Sequence, residues 1–250
     1  MHTAKLAASL LVLLALVLGA TPARAETVNC THVTALPAVI TGQGVYCFTG
    51  DLTTGMTSNA AIDIQTNNVV LDLNGFKLGG LAAGPNTGTI GIEVNNRQNI
   101  TIKNGTIRGF QVAIRMLDAG LSQGHVVEDV RADQNTTFGM LIQGSGHIIR
   151  NNQVVATGGG PQQNAFGIAV KGAGTRVLNN DVIRTVTGAG ITWGIFFEQG
   201  TTGALAVNNR ITEAERGIDY NGGATGKFRD NLTFGVTTPF LGGTNAGNNN

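Results

Sequence analysis

Asn151-Asn152-Gln153-Val154, Asn179-Asn180-Asp181-Val182 and Asn208-Asn209-Arg210-Ile211 are one phrase written three times, a polar pair ahead of an apolar strand. Working outward, related phrases stand at Asn104-Gly105-Thr106-Ile107, Asp129-Val130-Arg131 and Asp230-Asn231-Leu232, giving spacings of 25, 22, 28, 29 and 22 residues. A second marker, a small residue followed by alternating apolar positions, begins at Gly91, Ala113, Gly139, Gly167, Gly194 and Gly217, spaced 22, 26, 28, 27 and 23. Two independent markers with a mean period near 25 define an internal repeat. A unit this short cannot bury its own apolar face, but a stack of copies can. Leucine-rich repeats require fixed Leu positions that are missing here. Helical repeats are excluded by 37 glycines in 250 residues. A coil of short parallel strands remains.

On these motifs the chain resembles the pectate-lyase-like superfamily, and within it the bacterial secreted right-handed parallel β-helix repeat proteins. The resemblance covers residues 45–235. It includes Val45-Tyr46-Cys47-Phe48-Thr49-Gly50-Asp51-Leu52 and Val69-Val70-Leu71-Asp72-Leu73-Asn74-Gly75, which look like opening rungs. The implied fold is all-β, one right-handed parallel β-helix of about eight rungs. Expected boundaries are an N-terminal cap over 26–60, the helix over 61–235 and a Gly/Asn-rich tail over 236–250. By fold analogy alone the resemblance implies a carbohydrate polymer as partner.

Composition narrows the class further. Only 12% of residues are charged while 42% are hydrophobic, which excludes a disordered chain. A net charge of +1 gives no basic footprint for nucleic acid and no polybasic membrane patch. Met1 to Lys5, the apolar run Leu6–Ala20 and Ala23-Arg24-Ala25 read as a signal peptide over 1–25, cleaved before Glu26. No later run reaches membrane length, so a secreted or periplasmic protein without membrane insertion is expected. In an oxidising compartment Cys30 and Cys47, the only two cysteines, are expected to form a disulfide.

The second marker sorts into faces by the period-2 rule. Phe138, Met140 and Ile142, with Phe166, Ile168, Val170 and Trp193, Ile195, Phe197, are expected inside. Glu93, Arg115, Leu141, Ala169, Phe196 and Asp219 are expected outside, followed by Asn95, Leu117, Gln143, Lys171, Glu198 and Asn221. The aromatic column Phe138–Phe166–Trp193 can be read as a sugar-stacking strip, but the period assigns it to the interior. The polar pairs are expected to be an asparagine ladder at a turn, because Asn tolerates left-handed backbone and its amide can bond the amide one rung away.

No nucleophile elbow, phosphate loop, metal-spaced His cluster or nicotinamide fingerprint is present. His125 and His147 share a Gly-His-apolar-apolar context 22 residues apart and are expected to stack as partly solvated turn residues. Glu128, Asp129 and Asp133 offer a weak calcium set, and no other cofactor is implied. The Asp-Asp and Gly-His-Gly of polygalacturonases and the Asp-Pro-His-Glu of alginate epimerases are missing. Two consecutive long loops, over 156–165 and 185–192, suggest a wall beside a groove, with Gln162 and Gln163 in the first. Lys171 and Glu198 share an outward column beside them, one rung after Gln143. If the protein is an enzyme, a polysaccharide-lyase arrangement follows. Lys171 is then the base, Arg184 the cation lowering its pKa, and Glu198 an orienting group, with Gln143, Arg115, Gln162 and Gln163 binding substrate. The leading expectation is an exported protein that interacts with a carbohydrate polymer; the lyase is the alternative, a structural or adhesive surface protein is the third reading, and a surface ion pair between Lys171 and Glu198 is the competing account of the site.

Overall fold

The computed structural model describes residues 29–161 and 164–250. The expected leader, residues 1–25, lies outside the described residues, as do Gln162 and Gln163. The chain coils through three stacks of parallel strands. The first sheet holds Ala38–Ile40, Ala60–Ile64, Ile90–Asn95, Val112–Leu117, Phe138–Gln143, Ala165–Lys171, Thr192–Phe197 and the second halves of Arg210–Tyr220 and Leu232–Leu241. The second runs from Thr31–Val33 and Gly44–Phe48 through Ile148–Arg150 and Arg176–Leu178 to Thr244–Asn245. The third runs from Leu52–Thr53 and Lys77–Gly79 through Gln153–Thr157 and Asp181–Thr185 to the first half of Leu232–Leu241. Every pairing is parallel, and each strand bonds its counterparts one repeat before and one after. The repeat period thus becomes about eight turns of a solenoid.

Inside the coil, Ile62, Ile92, Ile114, Met140, Ile168 and Ile195 are fully buried in register, as are Val127, Ile149 and Val177 on the opposing sheet. The polar pairs divide their labour. Asn151, Asn179 and Asn208 take positive φ of 55°, 55° and 53° and turn the corner. Their successors Asn152, Asn180 and Asn209 are buried, and each Nδ2 donates to the next Oδ1 at 3.0 Å. The ladder extends through Asn231 to Asn249.

Both boundaries move outward from the expected ones. Residues in the presumed cap already pair into the solenoid, as Thr31↔Tyr46 and Ala38↔Ile62 show. The presumed tail is a further rung, because Thr238↔Arg216, Phe240↔Ile218 and Lys227↔Thr244 are ladder pairs. Backbone hydrogen bonding sets these limits, and Gly/Asn richness at the end reflects corner chemistry rather than a tail.

Cys30 and Cys47 form the expected disulfide across the first paired strands, where His32 faces Cys47. The bridge closes a 17-residue separation. In the chain-entropy description that is worth about 3 kcal/mol. Cys30→Ser with Cys47→Ser should lower the free energy of unfolding by about that amount. An unchanged denaturation midpoint would show that the first rung is held by its strand pairing alone.

Candidate functional site

The outer face of the first sheet carries the residues that the sequence marks. Glu93, Arg115, Leu141, Ala169, Phe196 and Asp219 are successive register partners there. Gln143 pairs with Lys171 in the next column. Glu198 follows Phe197, the partner of Val170, and its N–H donates to Val170 O at 2.8 Å, so it stands one rung beyond Lys171.

The aromatic column is on this outer face, not inside. The inward stations are taken by glycine, since a Cβ on Gly139 would lie 2.4 Å from Val154 Cγ1 and one on Gly167 2.5 Å from Val182 Cγ1. Gly and the residue after it both point inward as the chain rounds the corner into the first sheet, so alternation starts one residue late. The residue before each glycine is turned out. Phe138, Phe166 and Trp193 stack there with centroids 4.6 Å apart and planes within 7° and 3°. Their faces cover one another, and Phe196 leans on Phe166 and Trp193 at 49° and 52°.

Ala169 sits in register between Leu141 and Phe196, and a cavity opens on this face beside them. The cavity measures about 420 Å³. Phe138, Phe166 and Phe196 supply its apolar lining, and Lys171, Glu198, Gln199 and Asn221 its polar lining. Burial raises the Glu198 pKa, and the Lys171 charge offsets part of that rise. Among the described residues Lys171 and Glu198 do not close to an ion pair within 4.0 Å, so their polar atoms remain available to a ligand. The sequence reading finds Gln143, Lys171, Glu198 and Asn221 in one outward column and Phe196 beside them, but misses Phe138, Phe166 and Gln199. Trp193 held a clue, because a buried indole N–H needs an acceptor, and Asp219 of the outward column supplies it at 2.9 Å.

Arg184 is not part of this pocket. It is the penultimate residue of the third-sheet strand Asp181–Thr185, with φ of 61° at the corner, whereas Lys171 ends the first-sheet strand Ala165–Lys171. The two stand at opposite edges of the first sheet, roughly 20 Å apart at strand rise. Arg184 instead lines a cleft of about 460 Å³ with Gln134, Thr136, Gly158, Gly159, Val186 and Gly188. The long loops therefore do wall a groove, but the groove holds Arg184 without Lys171 or Glu198. Arg115 is tied to Glu93, with Nη2 to Oε1 at 2.6 Å, two rungs before Lys171.

Of the remaining sequence candidates, Asp129 turns a corner with φ of 54° and the others take internal partners. Glu128 meets Arg150 at 2.6 Å, and Asp133 lies between Arg108 and Arg131 at 3.4 and 3.5 Å, so these carboxylates face arginines rather than one another. His125 and His147 stack at 4.8 Å as expected, but they are buried rather than partly solvated.

Residues 88–249 match the family described as right-handed beta helix region. The chain belongs to that family. Among solved structures, the Dettilon tailspike protein (gp208) superposes on this β-helix chain with a TM-score of 0.51 at 15% identity. The match covers 85% of this chain and 51% of that one, so the β-helix chain spans about half the length of the tailspike protein. At that identity the likeness is one of fold. No curated protein matches the sequence. Among the described residues no helix is long and apolar enough to cross a membrane.

Proposed function

We propose that this β-helix chain is a glycan-binding protein and that its site is the pocket lined by the three phenylalanines and by Lys171, Glu198, Gln199 and Asn221. The amphipathic lining of that pocket carries the reading. A sugar ring is itself divided into C–H patches and a hydroxyl rim, and it fits a cavity with an apolar and a polar lining. The volume of about 420 Å³ is in the range of small-ligand sites. Glu198 accepts hydroxyl hydrogens, Lys171 donates to ring or hydroxyl oxygens, and the two amides do both. A sheet of stacked strands holds these groups at fixed spacing, so little ordering is needed on binding.

Binding without bond cleavage is the favoured form. The lyase arrangement needs Arg184 beside Lys171. Lys171 is exposed and Arg184 stands across the sheet. The disulfide supports an oxidising, extracytoplasmic setting, where surface and capsular glycans are met.

Trp193 is the single tryptophan and stacks on two pocket rings, so its fluorescence reports occupancy directly. Titration with a panel of oligosaccharides should find a ligand that changes this emission. Glu198→Gln should weaken that ligand about tenfold, the worth of one charge-assisted hydrogen bond, with the melting temperature unchanged. Full affinity in Glu198→Gln and Lys171→Ala, or no ligand in the panel, would overturn the reading and favour a spacer.

A further inference from the structure

At the far end of the pocket the same outer face carries Trp193, on the strand of Phe196, and Arg216 and Asp219 on the next rung. Asp219 is fully buried. Its Oδ2 accepts from Trp193 Nε1 at 2.9 Å and from Arg216 Nη1 at 2.8 Å. Its Oδ1 is equally enclosed and has no donor. Several buried threonine hydroxyls also lack a partner, but Asp219 Oδ1 is the one carboxylate oxygen so placed among the described residues. A buried carboxylate oxygen left unpaired is costly, and it marks a place where a donor from outside the chain belongs.

The arginine on the other oxygen reaches the surface. Arg216 lies across the Trp193 ring at 5.5 Å, and its side chain is 27% exposed. One face of Trp193 is against Phe166, so Arg216 blocks the other. Asp219 is the register partner of Phe196, which lines the pocket, and Asn221, just past the end of the Asp219 strand at Tyr220, lines it too. The distance from pocket to carboxylate is one strand spacing, about 4.8 Å.

We infer that Trp193, Arg216 and Asp219 form a second subsite, which takes the next sugar unit of a neutral oligosaccharide lying along the solenoid axis. The inference rests on the pocket binding a glycan. On binding, Arg216 swings off the indole, a ligand hydroxyl donates to Asp219 Oδ1, and the uncovered face of Trp193 receives the C–H face of the sugar. Arg216 then donates to the oxygens of that unit. Charge sets the ligand class. Lys171 and Arg216 balance Glu198 and Asp219 along the path, so the site has no surplus cation for a polyanionic chain. A carboxylate held out as the hydroxyl acceptor also repels an acidic unit.

The test compares mono-, di- and tri-saccharides of the glucose, mannose, galactose and xylose series, with trigalacturonate as the acidic control, by calorimetry and Trp193 emission. Wild-type protein should bind the preferred neutral disaccharide at least tenfold more tightly than its monosaccharide. The disaccharide, and not the monosaccharide, should protect Trp193 from iodide quenching. Asp219→Asn keeps its oxygen on Trp193 and Arg216, which places an amide donor where the free acceptor was. It should lose most of the length-dependent gain and keep monosaccharide affinity. The iodide comparison uses the wild-type chain and decides the matter even if that variant misfolds. Monosaccharide binding with no gain on lengthening and no added protection overturns the subsite alone. Preference for trigalacturonate overturns the neutral class. Silence across the whole series overturns both the subsite and the glycan reading.

Discussion

Asn180→Ala should cost about 4 kcal/mol, whereas Asn179→Gly, one residue earlier, should cost less than about 1. Asn180 Nδ2 donates to Ile149 O at 2.9 Å and to Asn209 Oδ1 at 3.0 Å. Its Oδ1 accepts the backbone N–H and the side-chain amide of Asn152, both at 3.0 Å. Alanine deletes all four bonds and leaves the buried Asn152 N–H without its acceptor. One orphaned donor costs about 1–3 kcal/mol and each other lost bond about 1. Asn179 has only the corner to make, with φ of 55°, and glycine adopts that conformation without a Cβ penalty. Its own amide contacts are exposed. Urea titration of both variants checks the contrast. Equal shifts would mean that the inner amide column carries no more of the stability than the corner backbone does.

That column is also why so much of the architecture is legible in the sequence. A parallel solenoid asks for the same side chain at the same station on every turn, because each rung supplies the hydrogen-bond partner of the next. Asn152, Asn180, Asn209 and Asn231 repeat for that reason, and the spacing of their phrases is the perimeter of the coil. The column of Lys171 and Glu198 is legible by the same logic, since strand register follows from the repeat. The aromatic column is not. Period-2 alternation holds along a strand but restarts wherever the chain rounds a corner, and Gly139, Gly167 and Gly194 sit just at that restart. Counting from Phe138 rather than from the glycine puts the rings on the wrong face. Arg184 fails differently. Its rung is right, but a rung has three sides, and the number of residues between Lys171 and Arg184 does not say which edge of the sheet each one reaches.

Stability should fall by about 4 kcal/mol between pH 8 and pH 5 through two histidines. His125 and His147 occupy a second internal column. His125 Nδ1 accepts from Ile100 N–H and His147 Nδ1 accepts from His125 N–H, both at 3.1 Å. The remaining nitrogens donate, His147 Nε2 to Gln143 O at 3.1 Å and His125 Nε2 to Ser122 Oγ at 3.0 Å, which passes its own hydrogen to Gln143 O. Each ring is therefore a neutral tautomer with both nitrogens used. Burial is the main cause that lowers the pKa values, to about 3 for His125, where the His147 charge adds to it, and to about 4 for His147, with the nearby Asp118 opposing in both. The ordinary value is 6.5. A folded pKa below the unfolded one means that the stabilisation is complete above about pH 6.5 and is lost as pH falls toward 3 to 4. At pH 5 the unfolded chain gains about 2 kcal/mol per histidine by protonation, and the folded chain almost none. Asn Oδ1 lies as many bonds from Cα as His Nδ1, so His125→Asn with His147→Asn should rebuild this column as a second asparagine ladder. The double variant should keep its fold at pH 7.5 and lose far less stability at pH 5 than the parent. A parent protein with a flat profile between pH 7.5 and pH 5 would overturn the histidine account, and a double variant with the same decline would assign the acid sensitivity to the carboxylates instead.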